Sequence, residues 1–364
     1  MTIHRDVVVI GAGQAGLAIG HHLAREGCDF TILEAAPELG AAWRSRWDSL
    51  KLFTPARYDG LPGMDFPAAG DHYPTRDEVV DYLTEYARTF DLPVELDSPV
   101  RRLRATGDGY LIELDDRTYR AAQVVVATGP FQTPRVPAGL AAGLDPRVVH
   151  LHSADYRRPG DVPPGRVLVV GGGNTGFQIA EELAADPARE VDLAVGSRQT
   201  PLPARALGVE LFRILKAIGF MTTPITSRRG RRLRGRGQLV GSSPRAAERL
   251  GIRLRRRAVS ASGFEVGFDD GTQGTYDAVI WATGFTTDHS WIDAPVFGAA
   301  GEVLQEQGVT PSPGLYFIGL PWLHTRGSAL LGWVKHDAEH LGRQIASSTP
   351  PAHVRRVRPT PVAA

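Results

Sequence analysis

Two valine-rich apolar runs, each followed by a glycine-rich turn, form the strongest pattern in the chain. The run at 7–10 is followed by Gly11, and the run at 167–170 is followed by Gly171. A continuous apolar run of this length is typical of a strand buried on both faces of a parallel sheet. The same predicted strand and glycine turn therefore occur twice in the chain, 160 residues apart.

The positions after each turn continue the repeat. An amphipathic stretch comes first, then a second apolar run, then an alternating pattern broken by a turn, and finally the tripeptide Ala-Thr-Gly. This order predicts a strand–helix–strand unit with a β-hairpin in each copy. The predicted helices are Leu17–Glu26 and Phe177–Ala185, the second strands are 30–33 and 191–195, the hairpins are 109–116 and 263–270, and the tripeptides are 127–129 and 282–284.

The order of the two copies predicts a nested arrangement of domains. Stretches rich in proline and glycine, at 130–137 and 158–165, separate the copies. A later strand at 315–318 and a helical segment from about Ser328 to Ile345 would return to complete the first copy. We therefore predict an α/β fold with two nested Rossmann-like dinucleotide-binding domains, each with a small β-meander. The predicted bounds are 1–155 for the first domain, 156–285 for the inserted domain, 286–346 for the segment that completes the first, and 347–364 for a tail.

Two segments do not fit the repeat. Residues Ala41–Gly70 are rich in tryptophan, proline and arginine, and a predicted helix at Arg76–Phe90 follows them. Residues Arg205–Gly251 include six arginines between Arg228 and Arg236. We interpret the first segment as a cofactor or substrate loop and the second as a lid or a surface excursion.

Length and composition exclude several classes of protein. A chain of 364 residues corresponds to about two domains at ~150 residues each. The formal charge of +1 gives no overall field that would attract nucleic acid. The single cysteine, Cys28, excludes a disulfide framework, a C-x-x-C redox pair and a thiolate metal site. No apolar run reaches the ~18 residues of a membrane span, and the first strand begins too early for a signal peptide, so we expect a cytoplasmic protein.

The first glycine turn has the spacing of a dinucleotide site. In this turn Gly11 allows a tight bend, Gly13 lets the backbone approach a pyrophosphate, and Gly16 lets the helix pack closely on the strand. The helix N-terminus offers amide hydrogens and partial positive charge to the phosphates. Glu34, at the end of the second strand, can accept hydrogen bonds from both ribose hydroxyls. The pattern favours an ADP-ribose without a 2′-phosphate over a glycine cluster that serves packing alone.

The second glycine turn, at Gly171, Gly173 and Gly176, differs at the end of its second strand. Ser197 and Arg198 lie where the first copy has a carboxylate. A carboxylate there would repel a 2′-phosphate, whereas a hydroxyl and a guanidinium can hydrogen-bond it. This pattern predicts NADPH rather than NADH. The alternative is that Arg198 is an ordinary solvated surface residue. Arginine is common in this chain, because only three of its 41 basic residues are lysine.

Other motifs indicate little chemistry. His336, Glu339 and His340 fit the H-x-x-E-H pattern of one metallopeptidase class, but a third ligand is not evident in the sequence, and we expect no metal. We expect His150 and His152 to be structural or to lie beside a phosphate. The chain has neither a P-loop nor a G-x-S-x-G elbow, so nothing indicates phosphoryl transfer or serine hydrolysis.

Taken together, two nested dinucleotide folds, two Ala-Thr-Gly strand ends and the lack of a redox cysteine pair resemble the flavin-containing monooxygenase family (class B flavoprotein monooxygenases). The resemblance covers almost the whole chain and is strongest to short bacterial members, which include proteins labelled potassium-transport flavoproteins. The F-x-G-x-x-x-H-x-x-x-[YW] fingerprint of the family survives here only as His152 and Tyr156. Further similar segments are 40–44 (GAAWR), 49–55 (SLKLFTP), 61–63 (LPG), 315–320 (LYFIGL) and 326–332 (RGSALLG).

The resemblance implies that FAD occupies the first fold and NADPH the second, with the flavin ring between them. The residues expected to contact FAD are Gly11, Gly13, Gln14, Ala15, Gly16, Glu34, Ala35, Ala42, Trp43, Arg44, Leu52, Val100, Thr128, Gly129, Ala329 and Leu330. The residues expected to contact NADPH are Gly171, Gly173, Asn174, Thr175, Gly176, Ser197, Arg198, Thr283 and Gly284.

The resemblance also implies an activity. NADPH would reduce the flavin, the reduced flavin would form a C4a-(hydro)peroxyflavin with O2, and one oxygen atom would pass to a small soft nucleophile (sulfur or nitrogen) or to a ketone. Two alternatives stay open: an NAD(P)H-dependent flavin reductase or oxidase that oxygenates no substrate, and a non-catalytic flavin redox sensor. The expected partners are O2 and a small-molecule substrate, without nucleic acid; a homodimer is one option for the assembly.

A further departure from the family concerns the flavin itself. Many members carry an asparagine beside the flavin, and Phe53 occupies that position in this chain. A phenyl ring offers no hydrogen bond to bound oxygen, but it can exclude water from the flavin. We therefore expect Phe53 to be the flavin-adjacent residue that bears on oxygen chemistry, with simple packing beneath the ring as the alternative.

Overall fold

The computed structural model describes residues 1–197, 200–202, 205–206, 209–234 and 238–348. Helices alternate with strands along the chain, and parallel pairing dominates its two large sheets. The α/β class predicted from the apolar runs is confirmed. None of the helices in these ranges combines the length and the apolar character that crossing a bilayer requires.

The described helices vary from single turns to four turns. They are α1 (Gln14–Arg25), α2 (Ala41–Arg44), α3 (Arg76–Thr89), α4 (Ala138–Ala141), α5 (Asn174–Ala184), α6 (Leu211–Ala217), α7 (Arg228–Arg234), α8 (Pro244–Arg249) and α9 (Val334–Ser348), with 3₁₀ turns at Ala56–Tyr58 and Pro159–Asp161.

The described strands range from two to nine residues. They are β1 (Thr2–Ile10), β2 (Phe30–Leu33), β3 (Val94–Glu95), β4 (Arg102–Thr106), β5 (Gly109–Glu113), β6 (Thr118–Val126), β7 (Thr133–Pro134), β8 (Val149–His152), β9 (Gly165–Val170), β10 (Arg189–Ala194), β11 (Thr200–Leu202), β12 (Arg205–Ala206), β13 (Val209–Glu210), β14 (Gln238–Val240), β15 (Arg253–Arg255), β16 (Ala258–Ser262), β17 (Glu265–Phe268), β18 (Gln273–Thr275), β19 (Ala278–Trp281), β20 (Phe285–Thr286), β21 (Ile292–Asp293) and β22 (Leu315–Phe317).

The first large sheet joins the beginning of the chain to its end. Its strand order is β21-β4-β5-β6-β1-β2-β3, and β22 pairs with the far end of β6. β1 runs parallel to both β2 and β6, and Val7, Val8 and Val9 are fully buried between the layers. Helix α1 packs against α9 on one face. We call this sheet, with α1, α3 and α9, the first unit.

The second large sheet takes all its strands from the middle of the chain. Its order is β15-β10-β9-β19-β8, with every pair parallel, and α5 packs on β9 and β10. The predicted hairpin at 263–270 contributes to a separate antiparallel sheet, β16-β17-β18. We call the second sheet, with α5 and this small sheet, the second unit.

Two short strands lie side by side where the chain passes between the units. β7 leaves the first unit and β20 returns from the second, and the two pair antiparallel. Gln132, just before β7, donates hydrogen bonds to the Thr128 hydroxyl at 3.0 Å and to the Gly129 carbonyl at 2.8 Å. The outgoing linker is therefore fixed to the end of β6.

The C-terminal helix begins later than the sequence predicts. The pattern favours a helix from about Ser328, but α9 starts at Val334, and turns occupy the residues before it. Gly332 lies against the backbone of Tyr58, so that a Cβ at this position would be 1.6 Å from the Tyr58 carbonyl oxygen. The Ser328 hydroxyl accepts hydrogen bonds from the N–H groups of His324 and Thr325, an arrangement that favours a turn over a helix. The helix then continues to Ser348, and the remaining tail residues, 349–364, lie outside the described ranges.

The segment interpreted as a lid or a surface excursion is partly buried. Leu211, Phe212 and Leu215 of α6 form an apolar cluster with Met221 and with Trp333. Trp333 immediately precedes α9 of the first unit. The described part around α6 is thus packed against the protein rather than solvated, because α6 carries three buried apolar side chains.

Candidate functional site

The turn between β1 and α1 combines tight packing on one side with open space on the other. Gly11 has a φ of +104°, and a Cβ there would lie 2.7 Å from the Ala127 carbonyl oxygen. A Cβ on Gly16 would lie 1.8 Å from the carbonyl oxygen of Gly11. At Gly13, a Cβ would meet nothing within 4 Å. Only glycine fits the first and third positions, and the second faces free space.

The open space lies in front of an uncapped helix. Gly13 is the N-cap of α1, its backbone is extended, and no side chain caps the first turn. The first amides of a helix have no partner within the helix, and the helix dipole adds partial positive charge to them. This end of α1 therefore suits a phosphate group.

Glu34 lies at the end of β2, beside the same turn. Its Oε2 accepts a hydrogen bond from the Ala12 N–H at 2.7 Å, and its Oε1 accepts one from the Ala36 N–H at 3.0 Å. Each carboxylate oxygen can accept a further bond, so capacity for two hydroxyl groups remains. The two amides fix the orientation of the carboxylate before any ligand arrives.

Gln14 ties two distant segments to the start of α1. Its side-chain amide donates to the Ala329 carbonyl at 3.1 Å, and its Oε1 accepts a hydrogen bond from the Trp43 Nε1–H at 3.1 Å. The structure thus brings together three residues of the predicted FAD set from widely separated parts of the sequence. Gly40, which precedes α2, has a φ of +75° and packs against Val80 of α3, and this contact fixes the start of the short helix.

The remaining residues of the predicted FAD set lie in several elements and apolar clusters. Val100 packs on the same apolar cluster as Ile10 and Leu33, and Leu52 is buried in the core that includes Ala12 and Ala15. The others are placed as follows: Ala35 follows Glu34, Ala42 and Arg44 lie in α2, Thr128 and Gly129 follow β6, and Leu330 lies in the cluster around α6.

The turn between β9 and α5 has the same backbone design. Gly171 has a φ of +139°, and a Cβ there would lie 2.1 Å from the Ala282 carbonyl oxygen. A Cβ on Gly176 would lie 1.9 Å from the Gly171 carbonyl oxygen, whereas one on Gly173 would meet nothing within 4 Å. Helix α5 also begins without a side-chain cap. Its first residue, Asn174, accepts a hydrogen bond from the Val240 N–H at 3.0 Å.

The end of β10 carries positive charge that the sequence motif does not reveal. The Arg257 guanidinium donates a hydrogen bond to the Gly196 carbonyl at 2.7 Å, next to Ser197. Arg257 comes from the stretch after β15, which pairs with β10, so sheet order brings it here. The strand order could have indicated Arg257 from sequence. In a dinucleotide-binding unit neighbouring parallel strands end side by side, so residues after β15 are expected near the end of β10. Arg198 of the predicted NADPH set lies outside the described residues.

His152, the last residue of β8, binds the backbone that follows β19 in the second unit. Its Nδ1 accepts a hydrogen bond from the Ala154 N–H at 3.1 Å, and its Nε2 lies 3.0 Å from the Gly284 carbonyl, so Nε2 carries the proton. Burial lowers the pKa of His152, which favours this neutral form. Arg135 of the outgoing linker also donates to the Thr283 carbonyl, at 3.1 and 3.0 Å. The second Ala-Thr-Gly end is therefore held by both linker and histidine, and His152 has a structural role.

Phe53 lies in an aromatic group at the edge of the first unit. Its ring stacks on Phe212 of α6, with centroids 6.2 Å apart and planes at 19°. Tyr58 and Trp333 stack on one another beside Phe212, at 5.8 Å. A role for Phe53 beside the flavin stays a prediction. The pattern H-x-x-E-H belongs to α9, and the described residues contain no group of three or more histidine, cysteine, aspartate or glutamate side chains placed to hold a metal ion.

Comparison with known proteins decides the family. The model of the family described as pyridine nucleotide-disulphide oxidoreductase matches residues 8–202, which is more than half of the chain. The chain belongs to this family. The match includes both glycine turns, the end of β1 and all of β9.

Relatives of similar length narrow the class within the family. The chain is 41% identical to the CzcO-like oxidoreductase of Geobacillus kaustophilus over 93% of its own length and 98% of the relative. It is 36% identical to the oxidoreductase CzcO of Bacillus subtilis, over 93% and 99% of the two chains. Among solved structures, the flavin-containing monooxygenase from Stenotrophomonas maltophilia superposes with a TM-score of 0.78 and 30% identity, covering 95% of this chain and 99% of that one. The protein is an oxidoreductase of the flavin-monooxygenase type, as the sequence motifs predict.

The cofactors of this class are FAD and NADPH. The two turns fit such groups, because each presents open space at its second glycine in front of a helix that no side chain caps. The predicted cofactor pair is thus confirmed at the level of the family, while the individual contacts stay predictions.

Proposed function

We propose that this protein is an FAD-dependent monooxygenase that uses NADPH and O2 to oxygenate a small molecule. One oxygen atom enters a soft nucleophile, sulfur or nitrogen, or a ketone; the other leaves as water, and NADPH becomes NADP⁺. The observation that carries the proposal is the similarity over almost the whole chain to a flavin-containing monooxygenase. The single cysteine in the sequence adds support, because an internal redox disulfide needs two.

In this proposal FAD lies along the first glycine turn. The N-terminus of α1 would bind the pyrophosphate, and Glu34 would accept hydrogen bonds from the ribose. Trp43 and Ala329, which Gln14 links, would form the surface on which the flavin ring rests. When bound, FAD supplies the electron transfer and the reaction with O2, and the protein orients the reactants and excludes water.

NADPH would lie along the second turn in the same way. The N-terminus of α5 would bind its pyrophosphate at Gly173. Its 2′-phosphate would lie at the end of β10, where Ser197 and Arg257 offer hydrogen-bond donors, the second of them charged. Arg198 follows Ser197 in the sequence and is the further donor that the motif predicts. No carboxylate occupies the position that Glu34 has in the first unit, so repulsion of a 2′-phosphate is absent from this end of the strand.

A second candidate is an NADPH-dependent flavin oxidase, which would release hydrogen peroxide without oxygenating a substrate. Phe53 favours it, because a phenyl ring at the flavin offers no hydrogen bond to bound oxygen. The water-excluding effect of the same ring favours the monooxygenase instead.

Stoichiometry separates these functions. The purified protein should be yellow and release FAD on denaturation; release of FMN, or no flavin, would contradict the cofactor assignment. With NADPH, ¹⁸O2 and a probe from each class (methyl phenyl sulfide, trimethylamine and cyclohexanone), we expect one labelled oxygen in the product of one class for each NADPH consumed. Hydrogen peroxide equal to the NADPH consumed would identify an oxidase, and failure of NADPH to reduce the flavin would identify a redox sensor.

The proposal includes two further features of the protein. We expect it to act in the cytoplasm, where NADPH is available, and fractionation of the native host would test this. We also propose a homodimer, which light scattering of the FAD-loaded protein would test: a monomer mass would contradict it.

A further inference from the structure

Two arginines lie where the first and second units meet. Arg46 follows α2, and Arg157 follows β8. Arg157 donates a side-chain hydrogen bond to the Ser45 carbonyl, and its own carbonyl accepts the Asp48 N–H at 2.8 Å. On the other side, Arg76 donates to the Arg46 carbonyl at 2.7 Å. The backbone on both sides of Arg46 is therefore fixed to its surroundings.

The Arg46 guanidinium lies between two aromatic rings of the linkers. Its central carbon is 5.1 Å from the centroid of Phe131 and 4.9 Å from that of Phe285. The rings themselves meet edge to face at 5.5 Å, and Phe131 is 64% exposed. Cation–π attraction holds the guanidinium in place, and within the described part of the chain its N–H groups donate no hydrogen bond. Arg46 is thus a rigid cation beside an open apolar surface.

No acid neutralises this pair within the described ranges. The neighbouring arginines Arg44, Arg76 and Arg158 each form an ion pair with a carboxylate. Among the residues that the structure describes, the guanidinium groups of Arg46 and Arg157 form no ion pair within 4.0 Å. The Arg157 side chain instead donates to the Ser45 and Ala154 carbonyls, and Asp161 accepts only its backbone N–H, at 2.8 Å. Burial, and then the charge of Arg157, lower the pKa of Arg46. Two like charges in a partly buried position favour an anion that binds both of them.

The phosphates of the cofactors do not account for this charge. In the proposed function, each pyrophosphate has its own helix N-terminus, at α1 and α5, and the 2′-phosphate lies beside Arg257. Arg46 comes from the loop after α2 and contacts the linkers instead. The anion that suits the pair therefore belongs to a third molecule, and the exposed ring of Phe131 beside Arg46 offers a surface for an apolar part of this molecule.

We propose that Arg46 and Arg157 bind the carboxylate of the substrate, with its apolar part packed on Phe131. A guanidinium is planar and presents paired N–H donors, which match the two oxygens of a carboxylate. The substrate class is therefore a small carboxylic acid that carries the oxidisable sulfur, nitrogen or ketone. This inference rests on the proposed function for its oxidisable group but not for its carboxylate.

Binding without turnover tests the inference. The probes are 4-(methylthio)benzoate and its methyl ester, which share the oxidisable sulfur and the ring and differ in charge. Dissociation constants are measured by flavin absorbance and tryptophan fluorescence on the full-length, FAD-loaded protein, without NADPH. We expect the acid to bind more tightly than the ester, and added NaCl to weaken only the acid.

Variants of the pair sharpen this test. Arg46→Gln should weaken binding of the acid by about 10- to 100-fold, the range for hydrogen bonds to charged groups, and leave the ester unchanged. Arg46→Lys should lie between wild type and Arg46→Gln, because it keeps the charge and loses the planar fork. Arg158→Gln is the matched control, because Arg158 follows Arg157 in the sequence but forms an ion pair with Asp161. It should leave the affinity for both probes unchanged. FAD content and melting temperature report folding; if Arg46→Gln fails to fold, Arg157→Gln is measured with the same expectation.

Three results would overturn the inference. The first is equal affinity of the wild type for acid and ester, or no binding of the acid. The second is an equal loss of both probes in Arg46→Gln. The third is weaker binding of NADP⁺ in Arg46→Gln with the acid unchanged, since the anion would then be a coenzyme phosphate. If the acid binds through Arg46 but neither it nor the three probes above gain ¹⁸O on addition of NADPH and ¹⁸O2, the proposed function fails and the carboxylate site stands.

Discussion

The two glycine turns share one backbone and differ in the side chains around it. A Cβ on the third glycine would lie 1.8 Å from the carbonyl oxygen of the first glycine in the first unit, and 1.9 Å in the second. At the end of the next strand the similarity stops, because Glu34 is bound by two amides whereas Gly196 is bound by Arg257. Backbone sterics thus set where a dinucleotide can bind, and the side chains at the strand end set which dinucleotide it is.

The first helical residue has the same use in both units. Gln14 at the start of α1 holds Trp43 and Ala329, and Asn174 at the start of α5 holds the backbone of Val240. In each case a side chain at the N-terminus of the helix, where we propose that a phosphate binds, attaches a segment that lies outside the repeat. A polar residue after the second glycine therefore connects the binding turn to the parts of the chain that distinguish the two units.

The largest expected effect tests whether the two turns are equally constrained. Gly16→Ala and Gly176→Ala should each destabilise the protein by about 3 kcal/mol, since the new methyl group collides with a backbone carbonyl. Gly16→Ala should also lose FAD, whereas any folded Gly176→Ala protein should keep FAD and fail to be reduced by NADPH. Chemical denaturation and flavin content measure both outcomes.

The second glycines are the matched controls for this comparison. Gly13 and Gly173 have ordinary φ values of −70° and −84° and open space around them. Alanine there should change the stability of the cofactor-free protein by less than about 0.5 kcal/mol and still weaken the cofactor of its own unit. Unchanged NADPH affinity in Gly173→Ala would contradict a pyrophosphate at α5.

The next effect concerns the end of the second strand. Arg257→Ala should weaken NADPH by ~1.5–3 kcal/mol, the range for a hydrogen bond to a charged group, and leave NADH nearly unchanged. Arg198→Ala should do the same if its side chain reaches the same phosphate. Steady-state KM values for both coenzymes measure this, and Arg256→Ala, which removes an exposed neighbour paired with Asp269, is the control. A loss of the same size for both coenzymes would mean that Arg257 acts through packing against Gly196.

Two fully buried aspartates give the units opposite responses to pH. In the first unit, burial raises the pKa of Asp59 to about 7, and Thr54 alone hydrogen-bonds it among the described residues. In the second, burial would raise the pKa of Asp192, but hydrogen bonds from Arg253, Arg255 and Tyr276 lower it. Folded Asp59 thus holds its proton to higher pH than the unfolded chain, and its contribution to stability is lost as the pH rises from about 4 to about 7. The contribution of Asp192 is lost as the pH falls through its lowered value.

Melting temperatures at pH 5 and pH 8 test this contrast. Asp59→Asn should gain a few degrees relative to wild type on going from pH 5 to pH 8. Asp192→Asn should be destabilised at both pH values, since it leaves two arginines without their buried partner. Parallel pH profiles of Asp59→Asn and wild type would show that Asp59 is ionised in the folded protein at pH 5.

The smallest expected effect tests whether the first unit controls oxygen chemistry through Phe53. If its ring excludes water from the flavin, Phe53→Ala should raise the hydrogen peroxide formed per NADPH severalfold and leave the FAD content near wild type. Phe53→Leu, which keeps an apolar side chain against Phe212, should stay close to wild type. If Phe53→Ala forms no more hydrogen peroxide per NADPH than wild type, Phe53 serves packing only. Loss of FAD in this variant would mean that the loop containing Phe53 is misaligned with the family sequences.

The parts of the site that residue spacing alone predicts are local ones. The glycine turns and Glu34 follow from spacing within about 25 residues, because one strand–helix–strand unit brings them together. Arg257 is not among the predicted residues, because the pairing of β15 with β10, not proximity in sequence, brings it to the end of β10. Gln14 and Ala329 are 315 residues apart, so the family resemblance, and not any local pattern, places both in the predicted FAD set.

The predicted start of α9 was wrong for a similar reason. The apolar positions from Ser328 onward allow a helix, but the contact of Gly332 with the Tyr58 backbone can only be found in three dimensions. The surroundings of Arg46 are equally non-local, since its two aromatic neighbours come from the two linkers. Tertiary packing thus decides positions where local propensity permits more than one structure.

The pairing of β7 with β20 has a consequence for how such a chain can arise. Thr133 lies opposite Thr286, and Pro134 lies opposite Phe285, so the chain leaves its host fold and returns to it at nearly one point. A tight turn of two to five residues could join these strands as an ordinary hairpin. A gene segment that encodes the residues between β7 and β20 can therefore be inserted or lost as one piece. The two ends of the first unit that it connects would keep their positions.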